Sequence, residues 1–166
     1  PDPKRQDARS RFTTQGIKPR LRGIPDVFAT FLAVPAVVFL TVCARPGLMS
    51  LGAIVYGAGL VFLFASSASY HTPMWPAAVR PWMRRLDHSA IYVLIAACYT
   101  PVCLNVIDTT IGVVLLWIAW VITGFGFLKS LLWPQAPRAL NTIVYVLFGW
   151  LAVPFGIVVW DHFEPM

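Results

Sequence analysis

Ser67, His71 and Asp87 are polar residues at the edges of long apolar runs, where ionisable groups are costly and usually functional. Ser67 and His71 are four residues apart, so on a helix they share a face. Asp87 opens the next apolar run, within Arg84-Arg85-Leu86-Asp87-His88-Ser89. A short connection between the runs makes an antiparallel hairpin and brings His71 and Asp87 to similar depth. A hydroxyl, an imidazole and a carboxylate meeting there can hold Zn²⁺ and orient a water, whose pKa the metal lowers toward neutrality. Asp87 then serves as general base or as the group that orients the ligand histidine.

The same residues have plainer uses. His71 can be an interfacial histidine with a solvated ring. Asp87 can pair with Arg84 or Arg85, or cap the third helix. One histidine and one aspartate fall short of the three protein ligands usual for catalytic zinc. His88 follows Asp87 directly and points about 100° away on a helix of about 3.6 residues per turn. His162 belongs to the opposite end of the fifth apolar run, about 30 Å of hydrocarbon from His71.

The elements that position these residues are membrane spans. The chain is 58% hydrophobic and 12% charged, against about 25% charged residues in soluble domains. Its mean hydropathy is +0.70. Five runs approach the roughly 20 apolar residues that a spanning helix needs: 27–44, 48–70, 89–106, 110–128 and 139–160. The expected fold is therefore all-α, a multi-pass transmembrane bundle over 25–166 behind a basic cytoplasmic tail, 1–24. Pro35, Pro101 and Pro154 fall inside the runs, where neighbouring helices can satisfy the freed carbonyls.

Charge sets the orientation. Lys4, Arg5, Arg9, Arg11, Lys18, Arg20 and Arg22 precede the first run. With that tail inside, Arg80, Arg84, Arg85, Lys129 and Arg138 also fall inside, and only Arg45 falls outside. This is a strong positive-inside asymmetry, and it predicts a cytoplasmic N-terminus in the cell membrane. A basic tail beside apolar spans marks a cytoplasmic flank rather than a nucleic-acid partner. Cys43, Cys98 and Cys103 lie in apolar runs without a CxxC and imply neither a disulfide framework nor a thiolate metal site. Trp75, Trp82, Trp133 and Trp160 stand near span ends, as interfacial anchors do. Gly52, Gly57, Gly59, Gly124 and Gly126 permit close helix contacts.

Ser67-Ala68-Ser69-Tyr70-His71, then Arg85-Leu86-Asp87-His88-Ser89-Ala90-Ile91-Tyr92, then Tyr99-Thr100-Pro101, resembles the hemolysin III family, with Tyr145, Gly149 and Trp150 fitting its fifth helix and Lys18 to Gly23 the approach to its first. That family stands with the progestin and adipoQ receptors and, more distantly, the alkaline ceramidases. The resemblance covers nearly the whole chain. It implies seven helices with the N-terminus inside and a zinc site near the cytoplasmic face. By position His71 matches a metal ligand, Asp87 the acidic residue associated with the metal's water, and Ser67 the serine of SxxxH. The remaining two ligands come, in the family, from an HxxxH pair on the seventh helix. This sequence has no HxxxH, so either the chain is a piece truncated after the fifth helix, which the match running right up to that helix favours, or its site is degenerate. The first helix departs from the pattern: many members have an acidic residue and a histidine near its start, and here there is Asp26 and no histidine.

The resemblance implies a zinc-dependent membrane hydrolase of lipid amide or ester bonds, with the bilayer as environment and a lipid as substrate. The alternative is a receptor-like or pore-forming, hemolytic membrane protein without catalysis. Neither substrate nor oligomeric state is legible in the sequence.

Overall fold

The computed structural model describes residues 23–105, 110–133, 137–150 and 153. Among the described residues five helices follow one another: α1 Ile24–Cys43, α2 Leu48–His71, α3 Arg80–Asn105, α4 Thr110–Leu132 and α5 Arg138–Trp150. No strand occurs among the described residues. The first four helices are long and apolar enough to cross a membrane, and the chain is an all-α, multi-pass transmembrane bundle. Of the fifth expected span, 139–160, the first part is α5 and residue 153 is helical. The rest, like residues 1–22 and 106–109, Asp161 and His162, lies outside the described residues.

Helix starts and stops follow local chemistry. Gly23 takes φ +95° ahead of α1, and Pro25 sits in the first turn, where its missing N–H costs nothing. Gly47 takes φ +106° ahead of α2. Both φ values are positive, a backbone conformation that a side chain would strain. α3 begins at Arg80 rather than at the apolar boundary near Ser89. Its first amides are taken up by the Pro76 carbonyl, which accepts from Val79 and Arg80. Hydropathy marks where lipid begins, whereas backbone hydrogen bonding carries the helix beyond that point. Asp87 is therefore inside α3 and does not cap it.

α3 is the centre of the bundle and packs on α2, α4 and α5, while α1 packs on α2. Ser89, Ala90, Tyr92, Ala96, Ala97, Tyr99, Thr100 and Cys103 of α3 are buried. On α1 only Ala33 is buried, and Phe28, Phe31, Leu32, Phe39 and Val42 are exposed as lipid-facing residues are. Small residues set the helix separations. A Cβ on Gly59 would stand 2.5 Å from Ala97 Cβ, one on Gly57 2.1 Å from Val37 Cγ1, and one on Gly52 2.9 Å from the Pro101 backbone. Gly124 has open space and takes no part in this packing, unlike the other four glycines of the motif set. Trp117 and Trp150 face outward, and Trp120 donates Nε1–H to Thr100 Oγ1 at 3.3 Å.

Polar bonds across the core hold α5 and α4 to α3. The Tyr99 hydroxyl donates to the carbonyls of Phe148 at 2.8 Å and Gly149 at 3.2 Å. Thr123 Oγ1 donates to the Tyr92 carbonyl at 3.1 Å. Tyr99→Phe removes the donor to α5 and keeps the ring that stacks on Phe148. It is expected to cost about 0.6–1.7 kcal/mol, as interhelical hydrogen bonds in membranes do. Unfolding of the purified protein in mixed detergent micelles measures it.

Candidate functional site

Ser67, His71 and Asp87 meet at one end of the α2–α3 hairpin. The end of α2 is shaped by the connection that follows it. The Thr72 amide donates to the Ala68 carbonyl, the Trp75 indole N–H donates to the Ser69 carbonyl at 2.7 Å, and the Tyr70 ring lies against His71 at 4.6 Å. These contacts hold the last turn of α2 closed while the chain doubles back to Arg80. His71 and Ser67 then face the first turns of α3 together.

The Asp87 carboxylate lies among these groups and its side chain is only 16% exposed. Ser67 makes a polar side-chain contact with it, and the imidazoles of His88 and His71 lie within electrostatic range. Its one ion pair among the described residues is with His88, at 3.8 Å from Nδ1 to Oδ2. Neither Arg84 nor Arg85 pairs with it, so the simpler reading of Asp87 as an arginine partner does not describe the fold.

His88 behaves differently from His71. Its Nδ1 stands 2.7 Å from the Arg84 carbonyl, one turn back on its own helix. A carbonyl only accepts, so Nδ1 carries the proton and Nε2 is the remaining nitrogen. The His88 carbonyl in turn accepts from the Tyr145 hydroxyl at 3.1 Å, which fixes the start of α5 beside the same turn of α3.

Three participants were not singled out from spacing. Gly23 abuts the end of α2: a Cβ there would stand 2.9 Å from Thr72 Oγ1 and 3.0 Å from His71 Cβ. Asp26, in the first turn of α1, acts electrostatically on Asp87. Tyr145, on α5, lies within electrostatic range of Asp87. The first helix thus does reach the hairpin end, through an aspartate rather than a histidine. The signal for it was the Gly-x-Pro-Asp run that opens α1, which demands a tight approach and leaves one carboxylate in the first turn.

An imidazole and two carboxylates are the right kinds of donor for zinc. A second carboxylate within electrostatic range, as Asp26 is of Asp87, also favours a cation nearby. In number the set falls short. Among the described residues no group of three His, Cys, Asp or Glu side chains is placed to hold a metal ion. What the arrangement can do unaided is hold a carboxylate at low exposure, oriented by a hydroxyl, next to an imidazole. That is a general-base geometry.

Comparison with known proteins agrees with the pattern of residues. The Haemolysin-III related family profile matches residues 14–166. The chain is 32% identical over 125 residues to the Hemolysin-3 homolog of Bacillus subtilis (strain 168), covering 74% of this chain and 58% of that protein. It is 31% identical over 144 residues to Hemolysin-3 of Bacillus cereus, covering 84% of this chain and 65% of that protein. The chain therefore spans about three fifths of the length of these curated relatives. No solved structure matches it significantly. With the profile covering almost all of the sequence and two relatives above 30% identity, this multi-pass membrane protein belongs to the haemolysin III family.

Proposed function

We propose that the full-length protein is a zinc-dependent membrane hydrolase of lipid amide or ester bonds, lying in the cell membrane with its N-terminal tail cytoplasmic. The observation that carries this reading is the low-exposure Asp87 carboxylate, set against Ser67 and within range of His71 at one end of the hairpin. The charge pattern of the sequence, which in the expected topology leaves only Arg45 on the opposite side, supports the orientation.

In this reading His71 gives one imidazole to the metal, and the ligands that complete the set lie outside the described residues. Zinc, when bound, supplies a water of lowered pKa and a Lewis acid for the substrate carbonyl. Asp87 accepts the proton as the water oxygen bonds to the carbonyl carbon. It then returns that proton to the departing nitrogen or oxygen as the C–N or C–O bond breaks. Ser67 holds the carboxylate in line. The fatty acid and the amine or alcohol are the products.

The test is zinc content, by mass spectrometry of the metal, together with hydrolysis of an N-acylsphingosine and a monoacylglycerol by the full-length protein. His71→Ala is expected to lose both bound zinc and turnover. Hydrolysis undiminished in both His71→Ala and Asp87→Ala would remove these residues from the chemistry. The name Hemolysin-3 of the Bacillus cereus relative supports a second reading, membrane lysis. Dye release from liposomes by protein that carries no hydrolytic activity would favour it.

A further inference from the structure

The start of α3, the end of α4 and the start of α5 enclose a narrow cleft lined by Arg84, Arg85, His88, Ser130, Trp133 and Asn141. Neither Ser67 nor Asp87 is part of its lining. Two arginines, Arg84 and Arg85, are among its lining residues. Lys129 stands at its edge, where its ammonium donates to Asn141 Oδ1. Among the described residues no carboxylate forms an ion pair with Arg84, Arg85 or Lys129.

Arg85 is held without being neutralised. Its guanidinium carbon lies 4.5 Å from the centre of the Trp82 ring, a cation–π contact that leaves the charge without an anionic partner. Its Nε is enclosed and has no hydrogen-bond partner. An enclosed, unpaired donor on a cation is costly unless an acceptor completes it. Ser130 and Asn141 add neutral hydrogen-bonding groups. Trp133, 56% exposed just past α4, has the placement of an interfacial anchor. The cleft therefore joins three uncompensated cations with an aromatic anchor at the ends of membrane helices. An arginine fork pairs with phosphate oxygens two at a time. Basic pockets between membrane helices at this level recognise phospholipid headgroups.

We propose that this cleft binds the phosphate of an anionic glycerophospholipid from the adjoining leaflet. Arg84 and Arg85 grip the phosphate oxygens, Lys129 adds charge at the rim, and the acyl chains run down the lipid-facing surface of α4. The assignment does not depend on hydrolysis at Asp87.

Native mass spectrometry of the full-length protein, released from nanodiscs of equal phosphatidylglycerol and phosphatidylcholine, reads the lipid retained. The wild type is expected to keep phosphatidylglycerol preferentially. Arg84→Gln, at an exposed position, lowers that preference about fivefold, and Lys129→Gln added to it lowers it further by a similar factor. Arg84→Lys keeps most of the preference, and Arg80→Gln, outside the lining, leaves it unchanged. Equal retention of the two lipids by the wild type, or an unchanged preference in the double variant, overturns the proposal. Inorganic phosphate raising the melting temperature of the detergent-solubilised wild type as much as phosphatidylglycerol does, against a chloride control of equal ionic strength, also overturns it. That result would assign the cleft to a soluble phosphate.

Discussion

Asp87→Asn is expected to lower lipid hydrolysis by the full-length protein by about 10²–10⁴-fold, the range that a positioned general base contributes. Asparagine has the shape of aspartate and keeps an oxygen toward Ser67, so the hairpin end stays packed. It cannot take up a proton at neutral pH. Zinc content is expected to stay near that of the wild type in Asp87→Asn and to fall in His71→Ala, which separates proton transfer from metal holding. Ser67→Ala removes only the group that orients the carboxylate and is expected to cost about tenfold, the worth of one hydrogen bond to a charged group. Turnover by Asp87→Asn close to the wild-type value, with lipid and protein amounts matched, would take Asp87 out of the reaction.

Gly126→Leu is expected to destabilise the bundle by about 3 kcal/mol, at the upper end of ordinary overpacking. A Cβ at this position would stand 2.4 Å from Cδ1, 2.5 Å from Cε1 and 2.6 Å from Cγ of Tyr92. Those atoms are the body of the ring, not the tip of a flexible chain. Tyr92 has no exposed surface through which to retreat. On its other side it meets the Tyr145 ring at 4.7 Å, so a shift would pass into α5. Gly124→Leu, two residues earlier in the same helix, meets nothing within 4 Å and is expected to stay within about 0.5 kcal/mol of wild type. Unfolding midpoints of the two variants in the same micelles measure the contrast. Equal effects at the two positions would mean that helix propensity, not packing against Tyr92, governs the cost.

The spans were readable because lipid leaves a hydropathy signal over many residues. The ends of α2, near His71, and the start of α4, at Thr110, fall where composition changes. The start of α3 was not readable in the same way. Arg80, Arg84 and Arg85 read as loop by charge, yet they continue the helix into the headgroup region. The proximity of Ser67, His71 and Asp87 could be inferred from a four-residue spacing and a short connection. The approach of Asp26 could not, because it depends on how α1 leans on the end of α2, a tertiary fact fixed by Gly23 and by Gly57 against Val37. Gly124 and Gly126 look alike in sequence, and only the facing helix tells them apart. His88 is set about 100° from Asp87 by helix geometry alone, yet it makes the one ion pair of Asp87 among the described residues, and its place in the neighbouring cleft depends on where α4 and α5 end.

The least apolar of the four spans is also the most enclosed: α3 carries its serine, threonine and tyrosines inside and has α2 and α4 on its flanks. During synthesis such a segment gains little from entering lipid alone. It is expected to leave the translocon only together with α2, as a paired hairpin, and to settle once α4 has emerged. α1, apolar on nearly every side, can partition by itself. Biogenesis would then proceed in two stages, and a defect in α2 would show first as failed insertion of α3.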